Sequence, residues 1–188
     1  MTKLQPWRYT DRRTIADMRV FRLTETRAVS PRTGEERSFS VLETGDWVNV
    51  IPLTPGGEVI LVRQWRHGTR AFTLEIPGGL VDPGEEPAAA AAREVREETG
   101  YEGGAVTALG AVETNPAILD NRTHTFLIEG CRLVGAQEQD AGEDIAVERR
   151  PLAEIPDLVR GGEITHSLVI CGFWWLALRR PDLMRLEP

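Results

Sequence analysis

Residues Gly79 to Tyr101 read G-L-V-D-P-G-E-E-P-A-A-A-A-A-R-E-V-R-E-E-T-G-Y, and this stretch decides the fold. Pro87 suits the first turn of a helix, where its missing N–H is not needed. Ala88 to Ala92 are strong helix formers with small side chains, so the helix can lie close to its support. Gly100 suits the position just past the helix end, where a left-handed backbone is wanted. Upstream, Ile76-Pro77-Gly78-Gly79 closes an apolar run and Asp82-Pro83-Gly84 forms a turn, so a strand, a glycine loop and a helix follow in that order. The helix carries Arg93-Glu94-Val95-Arg96-Glu97-Glu98. Residues three and four apart share a helical face, which puts Glu94, Glu97 and Glu98 on one side. Carboxylates this close repel one another unless cations sit between them, and hard divalent ions prefer oxygen ligands. The plainer alternative is a solvated helix face laced with ion pairs.

The order and spacing resemble the Nudix box, the signature of the Nudix hydrolases. Gly79, Glu85, Arg93, Glu94, Val95, Glu97, Glu98 and Gly100 fall at its required spacing, and Tyr101 replaces its final aliphatic residue. The resemblance implies an α+β fold, an α/β/α sandwich with a mixed β-sheet. It also implies bound Mg²⁺ or Mn²⁺, two or three ions per site, held by Glu94, Glu97, Glu98 and the backbone carbonyl of Gly78. Glu85 and Arg93 are, in that family, an ion pair tying the loop to the helix. Arg96 is expected to face solvent.

Composition sets the outer bounds. A chain of 188 residues can bury one substantial domain, with room for a small extension. The formal charge of −7 argues against binding a nucleic-acid backbone. Cys131 and Cys171 show no framework spacing, so reduced thiols and a cytoplasmic location are expected. The N-terminus carries Trp7, Arg8, Asp11, Arg12 and Arg13 where an export signal would be apolar. Leu168 to Leu178 is too short for a membrane span and suits a core helix.

Loose alternation over Met18–Thr26 and again over Arg37–Leu42, around the turn Ser30–Gly34, predicts a hairpin. We place a boundary at residue 45, giving an N-terminal antiparallel β extension (1–45) and a main domain (46–188). A lone hairpin is marginal in water, which calls for packing on the main domain or on a second subunit. Val48–Leu53 and Val59–Val62 read as strands joined at Pro55-Gly56-Gly57, and Thr73–Ile76 as a strand entering the box. Ala105–Val112, His124–Ile128 and Ile145–Glu148 read as further strands. Pro151–Val159 reads as a short helix and Ser167–Arg179 as a longer one, with Trp174 and Trp175 packing inside.

Three features outside the box resemble the ADP-ribose pyrophosphatases of the same family. Arg63-Gln64-Trp65-Arg66 precedes Glu75-Ile76-Pro77-Gly78-Gly79, with Gly78 in place of the usual alanine; Pro116 follows the box; and Gly142 to Val147 forms a late acidic loop. Asn115-Pro116-Ala117, Asn121-Arg122 and His124 add a likeness to hydrolases of nucleoside diphosphate sugars. The resemblance implies cleavage of a pyrophosphate, ADP-ribose giving AMP and ribose 5-phosphate. Metal ions neutralise such an anion and acidify bound water. The resemblance assigns the general base to Glu143, with Glu138, Asp140 and Asp144 as neighbours in the same loop; Glu97 is a second catalytic candidate, or supports the metal ligands. Arg66 offers a planar fork to phosphate; Glu75 and Pro116 complete the implied substrate contacts. Trp47, with Trp7 and Trp65 as alternatives, could stack the base. His67, His124 and His166 lack the spacing of a zinc site. The resembling enzymes are homodimers built through their N-terminal strands, so a homodimer is expected, with a small nucleotide-sugar substrate and no nucleic-acid or membrane partner. Two alternatives stay open: another Nudix substrate, such as a dinucleoside polyphosphate or nucleoside triphosphate, or a non-catalytic nucleotide sensor.

Overall fold

The computed structural model describes residues 3–139, 142 and 144–185. The chain divides into two compact units, residues 1–45 with 113–122, and residues 46–112 with 123–188.

In the first unit, β1 (Arg8–Asp17), β2 (Arg22–Val29) and β3 (Glu36–Glu43) form an antiparallel sheet in that order. The expected hairpin is therefore three-stranded. Nearly every residue of β1 is exposed. A strand without a buried face has no reason to alternate, so it leaves no period-two signal in the sequence. The second strand begins at Arg22 instead of Met18, because Met18 to Phe21 is the connecting turn, closed by the Met18 N–H on the Phe21 carbonyl at 2.9 Å. Between β2 and β3, Gly34 takes φ 73°, the left-handed value the turn requires. Leu42 and Leu119 form an isolated parallel bridge that brings residues 113–122 into this unit.

The second unit is built on a mixed sheet. β4 (Trp47–Leu53) runs antiparallel to β5 (Glu58–Arg66) after a turn at Gly57 (φ 77°), and parallel to β10 (Arg122–Glu129). β6 (Ala71–Glu75) and β12 (Ile145–Pro151) pair antiparallel with β5; β7 (Gly78–Leu80) pairs antiparallel with β4; β9 (Val106–Glu113) lies beyond β10. A two-residue pair, β8 (Tyr101–Glu102) and β11 (Arg132–Leu133), forms a separate ribbon.

Strand alternation sends side chains to two faces. Val48, Val50, Ile60, Phe126 and Ile128 pack with Ala90, Ala91 and Val95 of α1 (Pro87–Thr99) on one side. Ile51, Leu53, Leu61 and Leu127 pack on the other with Ile155 and Leu158 of α2 (Ile155–Arg160) and Val169, Phe173 and Leu176 of α3 (Ser167–Arg179). The layers are α/β/α. β12 runs on to Pro151, and a 3₁₀ turn (Leu152–Glu154) precedes α2, so the helix expected from Pro151 starts four residues later. Proline fixes φ at a value strands accept, and Pro151 opposite Glu58 closes the ladder. Trp175 packs beside the core, as expected, but Trp174 is 56% exposed: one step along a helix turns it about 100° from the inward line of Phe173 and Leu176.

Candidate active site

Helix α1 presents the carboxylates. Pro87 opens it, Glu86 precedes it without a side-chain cap bond, and Gly100 ends it at φ 74° with its N–H on the Arg96 carbonyl. Its buried line of Ala90, Ala91, Glu94, Val95 and Glu98 faces the sheet. Glu94 (9% exposed) and Glu98 (4%) are thus acids at core positions, and Glu97 stands half out.

The glycines of β7 explain how the acids fit. A Cβ on Gly79 would lie 2.3 Å from Glu94 Oε1, so only glycine leaves room for that carboxylate. The Gly78 N–H donates to Glu98 Oε2 at 3.0 Å. Gly78 is pressed against β4, where its own Cβ would fall 2.2 Å from the Val48 carbonyl oxygen. Gly78, Glu94 and Glu98 are therefore assembled by strand β7, which pairs with β4 and packs against α1.

Arg93 ties the same helix to the preceding loop. Its Nε and Nη2 donate to Glu85 Oε1 (3.1 Å) and Oε2 (2.9 Å), Nη2 also reaches the Leu80 carbonyl (3.0 Å), and Nη1 donates to Glu94 (2.9 Å) and Glu97 (3.0 Å). The carboxylates hold the Arg93 guanidinium well above its ordinary value, and Arg93 in turn holds Glu85 below the usual carboxylate range. Arg93 serves Glu85, Glu94 and Glu97 together, and carboxylates taken from water stay charged only when paired or hydrogen-bonded. The donors are all hard oxygens: the carboxylates of Glu94, Glu97 and Glu98, and the Gly78 carbonyl. They fit a hard divalent cation. The carboxylates are turned toward Arg93 and the Gly78 amide, and among the described residues no three acidic, imidazole or thiol groups converge on one point.

Arg96 departs from expectation. Its side chain is half-buried, donates to the Ala136 carbonyl at 3.0 Å and pairs with Glu138 (3.0 Å) and Glu102 (3.2 Å). The segment it straps down also donates the Glu138 N–H to the Glu97 carbonyl of α1 (2.8 Å), and Gln137 and Gln139 both donate to the Ile145 carbonyl. Partners forty residues away leave no trace in helical spacing. Both stems of the late acidic loop are thereby fixed near the end of α1. Glu143 and Asp140 lie outside the described residues.

Arg66 and Glu75 meet across β5 and β6. Arg66 Nε and Nη2 donate to Glu75 Oε1 and Oε2, each at 2.8 Å, and Thr73 Oγ1 donates to Oε1 at 2.6 Å. Burial would push the Glu75 carboxyl up, but these donors together with His166 hold it far below the usual range. Trp47 is half-buried, and its indole Nε1 is shut from solvent with no hydrogen-bond partner among the described residues. Trp65 is 42% exposed and meets Phe72 edge to face; Trp7 meets Phe39 likewise in the first unit. Pro116 is exposed in the turn where the Asn115 carbonyl accepts from Ile118 and Leu119, in the first unit. His124 pairs with Asp46 (2.7 Å) and His166 approaches Glu75 (3.1 Å). The sequence marks His166 only as lacking zinc-site spacing and gives no signal at Asn49, whose Nδ2 donates to the Leu168 carbonyl at 3.1 Å. Their partners lie about a hundred residues away, so no local pattern marks them.

Comparison with known proteins identifies the family. Residues 44–168 match the model of the NUDIX domain. The chain is 32% identical to an ADP-ribose pyrophosphatase of Bacillus subtilis (strain 168), over 70% of this chain and 72% of that protein. It is 34% identical to an ADP-ribose pyrophosphatase of Mycobacterium tuberculosis, over 70% of this chain and 65% of that one. The solved structure of an ADP compounds hydrolase superposes with a TM-score of 0.87 at 22% identity, covering 99% of this chain and 100% of that one, a likeness of fold. On the domain match and the Bacillus relative together, this chain belongs to the Nudix hydrolase family.

Proposed function

We propose that the protein hydrolyses the pyrophosphate bond of ADP-ribose or a related nucleoside diphosphate sugar. One observation carries the reading: a Nudix chain with ADP-ribose pyrophosphatase relatives keeps two buried glutamates, Glu94 and Glu98, against a glycine strand. Nudix hydrolases generally use divalent metal ions, which neutralise a diphosphate and acidify bound water. Glu94, Glu97, Glu98 and the Gly78 carbonyl are the residues to hold Mg²⁺ or Mn²⁺. Glu85 and Arg93 keep the loop and helix in register beneath them. Arg66, held by Glu75, is our candidate to bind the diphosphate. Glu143 is our candidate base for the attacking water, with Trp47, Trp65 or Trp7 to stack the base and Pro116 beside the substrate.

We further propose a homodimer formed through residues 1–45. Support comes from the apolar side chains the first unit leaves exposed: Leu4, Tyr9, Ile15, Met18, Val20 and Phe39. Two free thiols suit a cytoplasmic enzyme. Among the described residues no helix is long and apolar enough to cross a membrane.

Purified protein with Mg²⁺ or Mn²⁺, assayed on a panel of nucleotide sugars, should release AMP and ribose 5-phosphate from ADP-ribose. Inorganic pyrophosphate released from a nucleoside triphosphate in preference would move the substrate elsewhere in the family. Binding of ADP-ribose without cleavage would make the protein a sensor. Light scattering at the molar mass of one 20.9 kDa chain would remove the dimer.

A further inference from the structure

His166 precedes α3 in extended backbone (φ −71°, ψ 120°), and its side chain makes no cap bond with the helix. Its ring is instead turned to β6. Nδ1 is shut from solvent and lies 3.1 Å from Glu75 Oε2, although its N–H is not aligned for a good hydrogen bond; the rest of the ring keeps the side chain 34% exposed. Glu75 is itself 2% exposed, and its two oxygens serve Arg66, Thr73 and His166 together.

The surrounding contacts hold the backbone on either side of His166 in place. Ile164, two residues before it, is 1% exposed, and its N–H meets the Leu158 carbonyl at 3.1 Å. Two residues after it, the Leu168 carbonyl accepts from buried Asn49. Glu75 is fixed by its strand, and Thr73 on the same face of β6 steadies Oε1. His166, from the segment before α3, meets Oε2, which also accepts from Arg66 Nη2. A carboxylate approached on both oxygens has little freedom to turn, and a bidentate arginine follows the plane of its carboxylate.

We propose that His166 is a positioning residue: by its contact with Glu75 Oε2 it sets the plane of that carboxylate and so the direction of the Arg66 guanidinium toward the substrate diphosphate. The inference rests on the reading that Arg66 binds the diphosphate. It assigns His166 no contact with the reacting atoms. The consequence falls on substrate affinity, because a displaced fork binds substrate and transition state alike less well, which raises KM and leaves kcat.

The test uses full-length protein, ADP-ribose and Mg²⁺, comparing wild type with His166→Ala, His166→Asn and His166→Gln, each also in an Arg66→Ala background. Asparagine can place an amide N–H near the position of Nδ1, whereas glutamine carries it farther out. We expect His166→Ala and His166→Gln to raise KM about tenfold, with kcat within about twofold and thermal midpoints close to wild type, as for loss of a positioning contact. His166→Asn should recover most of the loss, and in Arg66→Ala protein no His166 substitution should change KM further. An unchanged KM in an active His166→Ala enzyme overturns the inference alone. So do equal losses in the Asn and Gln variants, or effects that add to Arg66→Ala. A wild-type protein that cleaves none of the nucleotide sugars overturns it together with the proposed function.

Discussion

Arg93 grips Glu85 with two nitrogens, at 3.1 and 2.9 Å, while its third reaches Glu94 and Glu97 on its own helix. One side chain thus fastens the loop before α1 and neutralises part of the acid cluster. Glu85→Gln should cost about 1.5–3 kcal/mol, the range for hydrogen bonds to charged groups, read as a shift in the urea midpoint with the helical signal retained. Arg93→Ala should cost more, since it also leaves Glu94 and Glu97 without their shared cation. A silent Glu85→Gln would show that the pair is no prop.

Glu98→Gln separates folding from activity. Glutamine can still accept the Gly78 N–H through its amide oxygen, so the melting curve should hardly move. The charge is lost, and turnover should fall by at least about 100-fold, the scale of removing a group that stabilises developing charge. A variant that turns over normally in Mg²⁺ would take Glu98 out of the metal-binding set.

The two box glycines should respond differently to alanine. At Gly78 the new methyl meets the Val48 carbonyl, part of the backbone, so β7 must shift and stability should fall by about 1–3 kcal/mol. At Gly79 it meets the end of the Glu94 side chain, which can swing away. Gly79→Ala should therefore lose activity out of proportion to stability. Chemical denaturation and kcat/KM measured on both variants check the contrast.

Acid should act through Glu75. Its folded carboxyl sits far below the ordinary value of about 4.3, so its contribution to stability is complete above that pH and is lost as pH falls toward the folded value. The wild-type urea midpoint should drop steeply below about pH 4. Glu75→Gln should be weaker at pH 7 and lose less over the same acid range; parallel slopes would contradict this.

The thiols should differ in reactivity. Burial pushes Cys131 up to about 11, while Cys171 is partly open. At pH 8 a thiol reagent should modify Cys171 in native protein and reach Cys131 only after denaturant is added.

How much of this could be read without coordinates follows the range of each interaction. The stretch from Gly79 to Tyr101 determined its own helix, the turn before it and the side of α1 on which Glu94, Glu97 and Glu98 stand, because helical periodicity is local and capping acts within a few residues. Strand β4 and the apolar stretches of β5 and β10 also declared themselves, since a strand segment covered on both faces reads as an apolar run. Strand β1 did not, because both its faces meet water, and Trp174 did not, because apolar composition does not say which side of α3 turns inward. Only the tertiary structure decided that Arg96 is a strap, that Gly78 must be glycine against Val48, and that His166 and Arg66 share Glu75. Each of these depends on groups brought together by the folding of distant segments, which no window along the chain contains.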